Sequence, residues 1–318
     1  MSHRASWLAD GTLASLRRAV VQVAPELADR TLMINERVVT SDPRFFQGSA
    51  VLDGAFVVKF AWSQSAAQRI VHEGIVLVAL ASGSPGLRVP KVVATSVSPA
   101  LLITERVSGV PLTTETASHL RGERRDCLVA DLADFLAGLH RPAALAGVQA
   151  AGAALKPPQP QADTDSIRAH FGRFIEPRQR SSVARWCDWA DGVLAFPSEA
   201  VLLHGDLHGH NMVWDKGTGG LRLIADFETA SCGDPAYDFR YLPGQADTTD
   251  LFLDVAVAYE ERTQRRVPLE RVMAWHIRTV LGDALWRSEA GVGLPDGGTP
   301  ASWVGDLASR MRDLGCMP

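Results

Sequence analysis

The stretch Val201 to Arg240, VLLHGDLHGHNMVWDKGTGGLRLIADFETASCGDPAYDFR, constrains the fold of this chain more than any other part of it. Val201 to Leu203, Met212 to Trp214 and Leu221 to Ala225 are short apolar runs of the kind that form brief buried strands. Polar, glycine-containing segments separate them. The turn Asp215-Lys216-Gly217-Thr218-Gly219-Gly220 folds the second run back on the third and returns Asn211 and Asp226 to one edge. The loop carrying Asp206 leads into the same hairpin, so Asp206, Asn211 and Asp226 are expected to converge.

Two carboxylates and a carboxamide in one place suit phosphoryl transfer from a nucleotide. One carboxylate orients the attacking hydroxyl and accepts its proton, while the carboxamide and the second carboxylate hold Mg²⁺ on the phosphates. Asp206 is then the base, and Asn211 and Asp226 are the metal ligands. A lone Asp in a glycine-rich loop is ordinarily a turn former, but three such groups on one hairpin favour catalysis. His204, His208 and His210 lack the Cys or carboxylate that would complete a familiar zinc spacing, and His204 is assigned to bracing the loop.

The pattern His204-Gly205-Asp206 with Asn211, then Asp226 in Ile224-Ala225-Asp226-Phe227-Glu228, then Gly233-Asp234-Pro235-Ala236-Tyr237-Asp238-Phe239, resembles the aminoglycoside phosphotransferase family. That family is related in fold to choline kinases, macrolide phosphotransferases and protein kinases. The resemblance implies a bilobal α+β, protein-kinase-like fold, with a small sheet-containing nucleotide-binding N-lobe (residues 1–107). A larger, mainly helical C-lobe (residues 108–318) would carry the catalytic loop, metal site and substrate pocket. It also implies ATP or GTP as donor, Mg²⁺, and a small-molecule hydroxyl acceptor.

Lys59 lies within the predicted strand Ala55 to Ala61, flanked by apolar residues. On the helix predicted from about Ser65 to Ala81, Glu73 falls inside the apolar stripe of Ala66, Ile70, Leu77 and Leu80. A carboxylate there is costly unless paired, and Lys59 is its natural partner. In the resembling family such a pair positions the lysine on the nucleotide phosphates. By the same resemblance, Ser41 to Ser49 is a loop over those phosphates, with Gly48 and Ser49 as weak contacts, although it is not a G-x-G-x-x-G sequence. Glu105 to Val107 resembles the hinge whose backbone meets the purine. Asp234 and Asp238 are expected to hydrogen-bond the backbone of the catalytic loop.

Further strands are predicted at Arg37 to Thr40, Ala50 to Leu52, Val92 to Thr95 and Leu101 to Thr104, with Asp53-Gly54 as a hairpin turn. Helices are predicted at Thr12 to Val23, through Leu128 to Leu139 with Pro142 as terminator, and around Ile167 to Ile175 and Ser182 to Leu194. Others follow at Thr249 to Thr263, Leu269 to Ser288 and Ser302 to Leu314. Lys156-Pro157-Pro158-Gln159-Pro160-Gln161 reads as an exposed loop.

A net charge of −4 argues against a general nucleic-acid binder. No 18-residue apolar span and no signal-peptide core are present, so a cytoplasmic protein without membrane association is expected. The scattered Cys127, Cys187, Cys232 and Cys316 read as buried free thiols.

From Asp226 onward there are 15 Asp and Glu against nine Arg and no Lys. This excess gives a slight preference for a polycationic acceptor, most simply an aminoglycoside, whose phosphorylation would confer resistance. Glu228, Glu289 and Trp286 are the leading substrate candidates, with Glu260 and Glu261 behind them. Trp275, Trp286 and Trp303 would equally shape a pocket for a macrolide. A metabolic amino-alcohol or sugar kinase and a non-catalytic nucleotide-binding module are the alternatives. Asp226 to Asp234 leaves no room for the long activation segment of a protein kinase.

Overall fold

The computed structural model describes residues 5–35, 42–294 and 297–316. Its N-terminal part is a five-stranded antiparallel sheet, β1 (Leu32–Ile34), β2 (Gln47–Leu52), β3 (Phe56–Ala61), β4 (Val92–Val97) and β5 (Ala100–Glu105), in the order β1-β2-β3-β5-β4. Period-2 alternation decides what each strand buries on which side. Val58 and Phe60 of β3, with Leu101 and Ile103 of β5, face helix α1 (Leu13–Val23), which contributes Leu16 and Val20. The opposite face carries Ala61, Ala100 and Leu102 and packs on α2 (Gln64–Gly83) through Ile70, Leu77 and Leu80. Lys59 belongs to that second face by phase, which turns its ammonium towards α2 and Glu73. Asp53 and Gly54 both take positive φ, 50° and 69°, as a tight β2–β3 hairpin requires.

The chain then passes through β6 (Val110–Pro111), α3 (Thr114–His119), α4 (Glu123–Leu139), α5 (Pro142–Ala150), α6 (Thr164–Phe171) and α7 (Pro177–Leu194). Next come β7 (Val201–Leu203), β8 (Met212–Trp214), β9 (Leu221–Ile224), β10 (Ser231–Gly233) and α8 (Ala236–Phe239). Helices α9 (Asp250–Thr263), α10 (Leu269–Ala290) and α11 (Pro300–Asp313) complete it. β6, β8 and β9 form one small sheet, and β7 and β10 another. Both are roofed by helices, with α4 against α9 and α7 against α10. The arrangement is an α+β kinase-like fold.

Several elements differ from the sequence expectation. The strand expected at Ala50 begins at Gln47, so Gly48 and Ser49 are strand residues, paired with Phe60 and Lys59, and not part of a phosphate loop. Gly48 is small because a Cβ there would press on the Phe60 ring. Pro142 does end α4, but its fixed φ also starts α5 as a first-turn residue. The strand expected at Arg37 to Thr40 lies outside the described residues. All four cysteines are free thiols, but Cys127 and Cys232 are only half-buried. Among the described residues no helix is long and apolar enough to cross a membrane.

Candidate active site

The loop His204 to Asn211 joins β7 to β8, and its shape is over-determined. Gly205 sits at φ +85°, and a Cβ there would overlap the Thr229 carbonyl. Gly209 is packed as closely against the Leu112 carbonyl and the Gln245 amide. Asp238 accepts from the N–H of His204 and of Gly205, both at 2.9 Å, and from His140 Nε2 at 3.2 Å. Burial raises the proton affinity of Asp238, but these donors outweigh it and hold the carboxyl below its usual range. His204 is fully buried, with Nε2 facing the Ala225 carbonyl at 2.8 Å and Nδ1 facing the Asp206 N–H at 3.1 Å. A carbonyl only accepts and an amide only donates, so His204 is a neutral Nε2–H tautomer. Desolvation keeps it so.

Asp206 Oδ1 accepts the Tyr241 hydroxyl at 2.8 Å, and Arg240 Nη2 lies 3.8 Å from the same oxygen. His208 Nε2 and Asn211 Nδ2 are each 3.4 Å from Oδ2. Burial alone would raise the carboxyl of Asp206, but His208, Arg240 and Tyr241 hold it far below the normal carboxylate range. Asn211 Nδ2 donates to the Asp206 carbonyl at 2.8 Å, which fixes the amide and leaves its Oδ1 for another ligand. The Asn211 carbonyl accepts from Ala225 N–H at 2.8 Å, bringing Asn211 beside Asp226.

Asp226 occupies the left-handed region, φ 71°, a strained conformation for a non-glycine residue. Its Oδ1 is 2.8 Å from Lys59 Nζ, which also donates to both Glu73 oxygens at 2.9 and 2.7 Å. Desolvation works against the ammonium, yet Asp226 and Glu73 together hold Lys59 above the ordinary lysine range, so it stays charged. Glu73 Oε1 also accepts the Phe227 N–H at 3.2 Å. Helix α2, strand β3 and the turn after β9 therefore meet at one ion cluster. Glu228 lies in that cluster too, bonded to Gln47 Nε2 at 2.7 Å, with its proton affinity raised by burial and by Asp226.

Two cavities open on this centre. A cleft of about 220 Å³ is lined by Lys59, Glu73 and Asp226 at one end and by Glu105, Arg106 and Val107 at the other. There the N–H groups of Glu105 and Arg106 are used by the Lys91 and Ala55 carbonyls. Val57, Leu102, Val213 and Leu223 give the walls of the cleft a mainly apolar surface, with Thr104 among them. A larger cavity of about 830 Å³ opens on Asp206, His208 and Tyr241, and its far wall includes Phe45, Trp286, Glu289 and Trp303. Phe45 packs on Trp286 with ring centroids 5.0 Å apart.

Several sequence-based assignments change here. Glu228 faces the Lys59 cluster and not the large cavity, because Gln47 and Arg69 hold it there. Gly48 and Ser49 line neither cavity. Asp234 does not touch the 204–211 loop. It accepts from Ser198, Ala236 N–H, Arg271 and Trp275, and so pins α10 to the segment before β7. Trp275 is thereby a core residue, and Glu260 caps the Val267 N–H away from the site. Aside from Asp206, the charged side chains described on the large cavity are Asp283, Glu289 and Asp306 against Arg44, Arg287 and Arg310. The acidic excess of the C-terminal third is spent elsewhere. Tyr241, Arg240, Gln245 and Phe45 escaped sequence reading; the sole signal was a lone Arg following Phe239 in a largely apolar run.

The chain matches the profile of the phosphotransferase enzyme family over residues 40–276. No curated protein matches it. Among solved structures it is similar to the GDP complex of wild-type aminoglycoside 2'-phosphotransferase-IIIa, at 17% identity and TM-score 0.68, covering 96% of this chain and 99% of that one. It is also similar to macrolide 2'-phosphotransferase type I, at 18% identity and TM-score 0.62 over 96% and 98%. A macrolide 2'-phosphotransferase from Brachybacterium faecium follows at 21% identity and TM-score 0.57 over 95% and 97%. With the ion cluster and the loop that carries Asp206 both inside the matched residues, the chain belongs to the phosphotransferase enzyme family.

Proposed function

We propose that the protein transfers the γ-phosphate of ATP or GTP to a hydroxyl of an antibiotic-sized natural product. The observation that carries this reading is the pair of cavities on the two halves of the site, one lined by Lys59 and Asp226 and the other lined by Asp206 and large enough for a substantial acceptor. The nucleotide lies in the smaller cleft, its base against the backbone of Glu105 to Val107 and its phosphates against Lys59. Mg²⁺ fits the donors present: the Asn211 amide is oriented with Oδ1 unengaged, and only one oxygen of Asp226 is taken by Lys59. When bound, the ion neutralises charge on the phosphates. Asp206 orients the acceptor hydroxyl. Its oxygen forms the new bond to the γ-phosphorus as the bond to the bridging oxygen breaks, the nucleoside diphosphate leaves, and Asp206 takes the hydroxyl proton.

The cavity wall favours a bulky, weakly charged acceptor of the macrolide kind. Phe45, Trp286 and Trp303 supply aromatic surface, and Asp283 is already paired with Arg287 at 2.8 Å. An aminoglycoside is the second reading, supported by Glu289 and Asp306 on the same wall. The test is nucleoside-diphosphate release with Mg²⁺ and ATP or GTP across macrolides, aminoglycosides, other hydroxyl-bearing antibiotics and small amino alcohols. Acceptor-dependent release by wild type that Asp206→Asn slows by about 1000-fold supports the reading. Release that Asp206→Asn retains in full, or none with any acceptor, removes it.

A further inference from the structure

Arg240 is only 2% exposed, and burying a cation so completely is costly unless it is matched. Its guanidinium lies between two aromatic faces, 3.7 Å from the Tyr237 ring centroid and 4.2 Å from that of Tyr241. It donates to the carbonyls of Gly205 and Tyr237 at 2.7 and 2.9 Å and to Thr279 Oγ1 at 3.1 Å. Among the described residues the one carboxylate within ion-pair reach is Asp206, at 3.8 Å. The cost of this buried charge is thus offset by the two rings, the three accepting oxygens and the carboxylate that lines the larger cavity.

Tyr241 completes the arrangement. Its ring rests on Arg240 and lies edge-on to His208, and its hydroxyl donates to Asp206 Oδ1 at 2.8 Å. Among the described residues Oδ2 has only the two contacts at 3.4 Å, beyond ordinary hydrogen-bond length. One oxygen of the carboxylate is committed and the other is left with capacity to accept.

We infer that Tyr241 is a positioning residue for phosphoryl transfer, which ties down Asp206 Oδ1 so that Oδ2 is the oxygen presented to the acceptor hydroxyl, with Arg240 holding the tyrosine in place. The inference rests on the preceding reading of Asp206. Tyr241→Phe is the informative change, because the ring that packs on Arg240 and His208 remains and only the hydroxyl is lost.

The probes are Mg-ATP or Mg-GTP with the acceptor returned by the panel above, under single-turnover conditions. Tyr241→Phe is expected to slow transfer roughly 10- to 100-fold, as misorientation of a reacting group does. Nucleotide affinity should stay within about threefold, since Tyr241 does not line the smaller cleft, and acceptor KM should change less than the rate, since one hydroxyl alone is lost from the wall of the larger cavity. In an Asp206→Asn background, removing the hydroxyl should have little further effect. A Tyr241→Phe rate within about twofold of wild type overturns the inference, as does a loss that repeats in full beside Asp206→Asn. If the panel yields no acceptor, the preceding reading fails by itself. The same variants are then compared in nucleotide hydrolysis, with water as the acceptor and the same two overturning outcomes.

Discussion

Asp238→Asn changes one atom, and the structure gives its consequence. Oδ2 of Asp238 receives the His204 N–H and His140 Nε2, while Oδ1 receives the Gly205 N–H. A carboxylate only accepts, so His140 Nε2 is the donor, and the Tyr259 hydroxyl holds the other ring nitrogen at 3.0 Å. All these groups are buried. An asparagine oxygen can satisfy one side only, and its NH₂ then faces an N–H. With the oxygen placed towards His204, the Gly205 N–H is orphaned, at about 1–3 kcal/mol. The two retained bonds lose their charge assistance, each falling from roughly 1.5–3 to about 1 kcal/mol. The sum is about 2–7 kcal/mol. At about 2.1 cal/mol/K of unfolding entropy per residue, a 318-residue chain loses roughly 1.5 °C per kcal/mol, so Tm should fall by about 3–10 °C. Because Gly205 adjoins Asp206, kcat should fall about 100-fold even at temperatures where the variant is fully folded. Differential scanning calorimetry and turnover at 15 °C read the two effects separately. A Tm within 2 °C of wild type, or turnover within about threefold, would refute the claim that Asp238 shapes the loop.

Lys59→Met should leave Glu73 buried without its cation; we expect nucleotide KM to rise and kcat to fall by about 100-fold or more, and unchanged nucleotide kinetics would remove Lys59 from the phosphate site. Phe45→Ala should raise acceptor KM about tenfold, through loss of the contact with Trp286, while nucleotide KM stays put; the reverse pattern would return residues 42–46 to the nucleotide. His276 is buried and neutral, its Nδ1–H donating to the Arg240 carbonyl at 2.6 Å, and burial with Arg310 pushes its pKa down to about 3. An unfolded chain takes up that proton near pH 6.5, so stability is full above this pH and falls as pH drops towards 3, at ~1.4 kcal/mol per unit. Denaturant unfolding of His276→Asn should therefore show a shallower pH dependence, by about 2 kcal/mol between pH 6.5 and 5, and equal slopes would contradict the assignment.

The parts legible in the sequence were those whose signal is local. Strands β7, β8 and β9 announce themselves as apolar runs between glycine turns, and Glu73 stands out because a carboxylate interrupts an apolar helical stripe. Lys59 followed from strand phase once that carboxylate needed a partner. Elements built by tertiary pairing were not legible. β6 is two residues long and exists because Val110 and Pro111 meet Trp214 and Val213. β10, reading Ser231-Cys232-Gly233, has no apolar alternation and is held by Leu203, Leu202 and Val201. The reach of Asp234 misled for a similar reason: sequence shows a carboxylate near the loop, but Arg271 and Trp275, some 40 residues on, claim it. The acidic excess misled because charge counts carry no direction, and ion pairs such as Arg125 with Asp254 and Arg271 with Asp234 consume part of it away from the cavity.

Helix α2 has a consequence for how the molecule comes apart. One flank of it supports the sheet, while Leu77 and Leu80 share a single continuous core with Ala144 and Val148 of α5 and with the helices beyond. His72, on the same helix, donates to the Ala230 carbonyl at 2.8 Å. Cutting the chain after residue 107 would strip that flank and leave a broad apolar surface in water, so the first hundred residues are not a module that can be transplanted. Heating should melt sheet and helices in one cooperative step, and a bound nucleotide should raise the midpoint of the whole chain.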